Sequence, residues 1–443
     1  MLAKTPQKRM MRFKEAARKR FGSFTISAWL REYCAEIVMG QKAASCSNAQ
    51  SNTRIDAMRL LYFVDEWPSL FERYLYREMQ WMRERGHSVS VICLNCMPNG
   101  FQKETKDYID LAEFHLEDTP ALRLDSSQMT RDAMAAEALR FARMHEAEFI
   151  DAHLGREPAE LACELYLTSG IPYAVRLRGG DVHGRTSPKL AEILRYASAV
   201  CPMSEFLADV LTGTRTLPRK PQGIPAKVRP DTLHVVPGCL PPEYLAAAPT
   251  IQSEGSQMIG AIGRTVPVKR FHDIIEAVGG LVSEFPGLKL KIVGGGWTFE
   301  ELRTLASQVG IEDRVEITGF KSWAETMQLA RQFHIYVSAS ELEGFGLSTI
   351  EAAFQGIPLV LSRTGVHEQC VEEGINGYLF DAGDVIALRE HLRTLLLAGA
   401  RRREQMGKVT LEIVGQRYRA ERIMPMIEAI YQNAIEMGDI PRR

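Results

Sequence analysis

From Met58 onward, short runs of apolar and β-branched residues alternate with longer stretches in which apolar residues recur at helical spacing. Strands separated by helices rather than by tight turns predict parallel sheets covered on both faces. A first series predicts strands at Arg59–Val64, Ser88–Leu94, Phe149–Ala152, Tyr173–Leu177 and Ala199–Met203, with helices such as Ser69–Arg85 and Pro158–Thr168 between them. The rhythm then breaks. Gly213 to Asp231 holds four prolines and five basic residues without periodicity, followed by a short strand at His234–Val236 and a proline-rich, polar stretch to Gln257. A second series opens at Met258–Gly263 and continues through Lys289–Val293, Val315–Thr318, Ile335–Ser338, Pro358–Leu361 and Tyr378–Phe380. A last helical stretch, about Arg402 to Met437, is long enough to pack back across the first series.

Two similar α/β series in tandem imply two doubly wound domains, and 443 residues exceed what one hydrophobic core usually supports. The expected divisions are 1–57, an N-terminal extension; 58–245, a first Rossmann-like domain; 246–420, a second; and 421–443, a closing helix. The extension crowds Lys4, Lys8, Arg9, Arg12, Lys14, Arg18, Lys19 and Arg20 into one short stretch. It reads as a disordered leader, with contact to anionic lipid as the alternative.

Charge excludes one class of partner. With 54 basic against 55 acidic side chains, no global field favours nucleic acid, so binding must rest on local sites. Eight scattered cysteines lack the spacing of a secreted disulfide scaffold, and no apolar run approaches the length of a membrane span or signal peptide, which together predict a cytoplasmic protein. Cys93-Leu-Asn-Cys96 has no second pair to complete a zinc site, and no metal is expected there.

Two constellations carry chemistry. In Glu341-Leu-Glu-Gly-Phe-Gly-Leu-Ser-Thr-Ile-Glu351 a strand runs through a glycine turn into a helix. Gly344 and Gly346 allow close backbone approach, and a helix start offers unpaired N–H groups suited to a phosphate. Glu343 precedes the helix and can face a sugar, while Glu351 lies within it and can accept from ribose hydroxyls. Either carboxylate alone reads better as surface charge. The second constellation, Gly263-Arg264-Thr-Val-Pro-Val-Lys269-Arg270, follows the opening strand of the second series and offers two cations for a diphosphate.

Together these motifs resemble glycosyltransferase family four, the retaining GT-B enzymes among the group 1 glycosyl transferases of bacterial polysaccharide biosynthesis. The resemblance rests on G-R-x4-K at Gly263–Lys269, Lys291-Ile-Val-Gly-Gly-Gly296, Val315-Glu-Ile-Thr-Gly319 and E-G-F-G-L-S-x-x-E-A at Glu343–Ala352. Further matches are Gly356-Ile-Pro-Leu-Val360, Gly374-Ile-Asn-Gly-Tyr-Leu379 and Gly383-Asp384. It implies a GT-B fold, with two parallel sheets facing each other across a cleft. It also implies transfer of a hexose from a UDP- or GDP-linked sugar to a hydroxyl of a saccharide or lipid-linked saccharide, in surface polysaccharide or glycolipid synthesis, with peripheral contact at the inner membrane face left open. Arg264 and Lys269 would grip the diphosphate and Glu343 the transferred sugar. Gly263, Phe345, Gly346 and Leu347 would border the nucleotide sugar through their backbone, and Glu351 the ribose. No Asp-x-Asp is present, so the cations rather than a metal would neutralise the leaving group, and no cofactor is required.

The first series matches more loosely, at Ile150-Asp-Ala-His153, Gly170-Ile-Pro172, Met203-Ser204 and Trp67-Pro-Ser-Leu-Phe-Glu72. Arg178-Gly179-Gly180-Asp181 stands where members often carry His-Gly-x-Asp, so Arg178 would take the place of a histidine contact to the sugar. Near Ser362–Glu368, Thr364 and His367 interrupt the family's usual glycine pair. An epimerase or phosphorylase of the same fold, and a catalytically silent sugar-nucleotide-binding scaffold, are the alternatives.

Overall fold

Strands rich in Val, Ile and Leu, buried on both faces, become the interior of two parallel sheets. The computed structural model describes residues 56–67, 73–94, 114–183, 187–215, 228–239 and 257–438, and all of these except Asp56 fall in one unit, Ala57–Arg443. The first sheet contains β1 (Arg59–Val64), β2 (Ser88–Cys93), β3 (Ala121–Arg123), β4 (Phe149–His153), β5 (Tyr173–Leu177) and β6 (Ala199–Pro202). The second contains β7 (Gln257–Ile262), β8 (Leu288–Val293), β9 (Val315–Ile317), β10 (Ile335–Ser338), β11 (Leu359–Ser362) and β12 (Gly377–Phe380). The sheet orders are β3-β2-β1-β4-β5-β6 and β9-β8-β7-β10-β11-β12, with every pairing parallel. Both are the doubly wound order that reverses direction beside the first strand, which creates a crevice at that strand's carboxyl end. The α/β, two-sheet GT-B architecture expected from the sequence is the architecture present.

Three local expectations need correction. Ala121–Arg123 forms an edge strand that the apolar pattern did not reveal, because its three residues are largely exposed. His234–Val236 is not a full strand. It lies along β6 through His234 N–H to the Val200 carbonyl (2.9 Å) and Val236 N–H to the Pro202 carbonyl (2.9 Å), with a single bridge at Leu233. The last helical stretch is two helices, Gly399–Tyr418 and Ala420–Gly438, interrupted at Arg419, whose backbone is extended. The expected extension at 1–57 lies outside the described residues apart from its final two, as do Cys96, residues 68–72 and most of 213–231.

The second of these helices returns to the first sheet. Tyr431 packs its ring on Phe149 at 4.7 Å, and Glu428 accepts from Arg85 (2.8 Å) and pairs with His87 (2.7 Å). The first stays with the second sheet, where Gly407 lies so close to the Gly356 carbonyl that a Cβ would stand 1.8 Å from it. Among the described residues no helix is long and apolar enough to cross a membrane.

Candidate functional site

Strand order explains why two motifs about 75 residues apart in sequence meet. β7 and β10 are hydrogen-bonded neighbours at the reversal of the second sheet. The segment after β7 carries Gly263, Arg264 and Lys269, and the segment after β10 carries Glu343 and Gly346. Both emerge at the carboxyl ends, where a ligand crevice is expected. There a cavity of about 360 Å³ is lined by Gly263, Arg264, Lys269, Glu343, Gly346, Leu347 and Glu351, and by Tyr74, Arg77 and Cys239 from the first-sheet side.

Lys269 Nζ donates to Glu343 Oε1, which also accepts from Ser340 Oγ at 3.2 Å. Burial pushes the Glu343 carboxyl upward most strongly. The Lys269 charge and these hydrogen bonds outweigh it and hold the group below the ordinary carboxylate range. An ionised Glu343 is thus held ready by the cation expected to meet a diphosphate. The loop bearing it is clamped from the first half of the chain. Ser204 Oγ donates to the Gly344 carbonyl at 2.6 Å, and Gly344 sits so close to Gly179 that a Cβ would lie 2.3 Å from its backbone nitrogen. Gly346, at φ +83°, turns the chain into the helix Leu347–Ala353.

Phe345 lies between these cavity residues in sequence, but it is not among the cavity's lining and its ring meets Tyr418 edge-on at 5.5 Å. Arg178 does not line the cavity. It stacks over Tyr74 with 5.3 Å to the ring centroid, so it borders the cavity through a residue that does line it.

His367, which departs from the resembled pattern, lies beneath this loop and is fully buried. Its Nδ1 contacts the Ser362 carbonyl (2.9 Å), an acceptor, so Nδ1 carries the proton and Nε2 accepts from Thr349 Oγ1 (3.0 Å). Burial lowers its pKa to about 4, only partly opposed by Glu343. A histidine held neutral below its ordinary value of 6.5 binds fewer protons folded than unfolded, so its contribution is complete above about pH 6.5 and is lost as pH falls toward 4. His334, lowered to about 4 by burial while its Nδ1 accepts from Met258 N–H, adds to the same loss. Wild type is expected to lose on the order of 3 kcal/mol across that window through the fully buried His367, and less through the more solvent-screened His334. Urea titrations at several pH values should show a shallower decline for His367→Gln; an unchanged slope would remove His367 from this account.

Sequence reading missed Tyr74, Arg77, Phe320, Lys321 and Trp323 as cavity residues. The last three follow β9, and the rule that ligands gather beyond strand ends could have flagged them. The run Gly294–Gly296 has a backbone-packing role. A Cβ on Gly294 would lie 2.0 Å from the Gly263 carbonyl and one on Gly296 2.6 Å from that of Thr265, so only glycine allows the β7 and β8 loops to touch.

A second cluster lies inside the first half. Arg176 donates to Glu78 Oε2 (3.0 Å) and Tyr431 Oη (3.2 Å), Tyr431 donates to Asp151, and His153 Nε2 meets Asp151 Oδ2 (2.8 Å). Glu78, Asp151 and His153 have the donor atoms for a metal ion. The Arg176 guanidinium already supplies positive charge to both carboxylates, lying 3.0 and 3.8 Å away.

Comparison with known proteins finds sequence and fold similarities that bear on this geometry. Residues 248–411 match the family model of glycosyl transferases group 1. The chain is 30% identical over 183 residues to N-acetyl-alpha-D-glucosaminyl L-malate synthase of Bacillus anthracis, covering 41% of this chain and 47% of that protein. It is 31% identical over 127 residues to the lipopolysaccharide core biosynthesis glycosyltransferase LpsE of Rhizobium meliloti, covering 29% and 36%. The matched stretches thus span about half or less of these curated relatives. Over almost its whole fold the chain is similar to Anabaena Alr3699/HepE in complex with UDP, with a TM-score of 0.69, 20% identity, and 85% of this chain and 100% of that one covered. The sucrose-phosphate synthase of Thermosynechococcus elongatus gives a TM-score of 0.68 at 15% identity, covering 86% and 99%.

Proposed function

We propose that the protein is a retaining glycosyltransferase that moves a hexose from a nucleoside diphosphate sugar to a hydroxyl of a saccharide or lipid-linked saccharide. The observation that carries this reading is the convergence of Arg264, Lys269, Glu343 and Glu351 on one cavity at the reversal point of the second sheet. The group 1 match over the same residues and the UDP held by a protein of similar fold support it.

Arg264 and Lys269 bind the diphosphate and stabilise the charge that accumulates on it as the anomeric C–O bond breaks. Glu343 contacts the hexose, Glu351 the ribose, and backbone at Gly263, Phe345, Gly346 and Leu347 borders the phosphates and sugar. The acceptor oxygen forms the new bond on the face the phosphate leaves, and its proton passes to a phosphate oxygen. Arg178, through its stacking on Tyr74, supports the sugar end of the cavity. Reaction occurs on the cytoplasmic side, where a lipid-linked acceptor is reached peripherally.

A thermal-shift panel of UDP- and GDP-linked hexoses tests the reading. One class of nucleotide sugar is expected to stabilise wild type and to lose that effect in Arg264→Ala. Stabilisation by none of them, or stabilisation indifferent to the substitution, would overturn the assignment.

A further inference from the structure

One carboxylate of the cavity is already held by a neighbour. Trp323 Nε1 donates to Glu351 Oε1 at 3.2 Å, and both side chains line the cavity. An indole N–H donates and never accepts, so this contact selects a carboxylate oxygen and orients its plane. The backbone beneath Trp323 is itself fixed. Trp323 is the first residue of the helix Trp323–Ala330, whose start is closed by a reciprocal pair. Glu325 N–H donates to Ser322 Oγ (3.3 Å), and Ser322 N–H donates to Glu325 Oε2 (2.8 Å). Glu351 lies in the helix Leu347–Ala353, anchored by fully buried Ile350 and Ala352.

We propose that Trp323 is a positioning residue for ribose recognition, its indole N–H holding Oε1 of Glu351 so that Oε2 accepts from the vicinal hydroxyls of a ribonucleoside diphosphate. This rests on the nucleotide-sugar reading of the cavity. A free glutamate would lose side-chain freedom on binding, and a carboxylate oriented beforehand does not. The hydrogen bond thereby converts a general affinity for nucleotides into a preference for ribose over deoxyribose. Lost contact with a charged acceptor is the kind of difference that discriminates strongly.

Calorimetric titration with UDP, GDP and their 2′-deoxy counterparts tests this on the full chain. Wild type is expected to prefer the ribonucleotide it binds over the deoxy form by about tenfold or more. Trp323→Phe keeps an aromatic wall but removes the N–H, and is expected to weaken the ribonucleotide about five- to tenfold while leaving the deoxy form nearly unchanged. Trp323→Leu provides a second variant without the N–H, and Trp323→His, with a ring N–H, should retain part of the preference. In a Glu351→Ala background, Trp323→Phe should cost nothing further, because the tryptophan acts through that carboxylate. Unchanged ribose preference in the Phe and Leu variants, or full additivity with Glu351→Ala, overturns the proposal alone. A wild type that binds neither UDP nor GDP overturns the nucleotide-sugar reading and this proposal with it.

Discussion

Lys269→Ala is expected to lower kcat/KM for sugar transfer by about two to three orders of magnitude, the loss seen when a preorganised charge partner is removed from a leaving group. Two effects act in the same direction. In the proposed reaction the diphosphate would lose one of its two cations as charge develops on it. Glu343 loses the hydrogen bond and the nearest positive charge that oppose its burial, so its carboxyl rises from its depressed value. Lys269→Arg restores the charge but not the compact point donor that Glu343 receives, so partial recovery is expected. Steady-state kinetics with the nucleotide sugar selected by the thermal-shift panel would show this. A variant within about threefold of wild type would remove Lys269 from the reaction.

Arg176→Met should destabilise the fold by about 3–5 kcal/mol, the cost of leaving a buried charge without its partner. Arg176 is 2% exposed, and its loss strands Glu78 and Asp151, both buried, beneath the C-terminal helix. Burial pushes Asp151 upward most strongly, yet His153, Arg176 and the Tyr431 hydroxyl hold it below its ordinary value. Without the guanidinium that balance shifts toward a protonated acid. The double variant Arg176→Met/Glu78→Leu removes both charges of the closest pair, so it should recover part of the loss. Urea unfolding of the three proteins at neutral pH gives the comparison. A single variant as stable as wild type would mean that water reaches the cluster and screens it.

This cluster marks a limit of sequence reading. Ile150-Asp-Ala-His153 is visible as a strand that ends in polar residues, and its alternation gives no hint that Asp151 is wholly buried. Besides His153 on the same strand, the residues that compensate Asp151 are Arg176 on β5 and Tyr431, 280 positions away. Pairing at that distance depends on where the last helix lands. The interruption at Arg419 that redirects the helix carries no proline or glycine to announce it.

The site divides in the same way. Gly263, Arg264, Lys269, Glu343, Gly346, Leu347 and Glu351 were legible as residues that gather at one cavity, because glycines and charged groups just beyond strand ends are local signals. Phe345 was legible as part of that run, but the direction of its ring was not, since it depends on Tyr418. Trp323 was legible only as a residue beyond a strand end, not as a partner of Glu351. An aromatic residue after a serine cap reads as ordinary helix packing until Glu351 is seen 3.2 Å away.

By itself the sequence determined two doubly wound sheets, their strands to within a residue or two at most positions, and the order of motifs along the chain. Period and composition act over a few residues, and such short-range preferences are written directly into the chain. Only the tertiary structure decided which strand ends are neighbours, and so which charges meet. The pairing of β7 with β10 placed Lys269 against Glu343, and the return of the C-terminal helix placed Tyr431 against Asp151. Both contacts join residues far apart in sequence, and their geometry is set by the packing of whole layers rather than by any local preference.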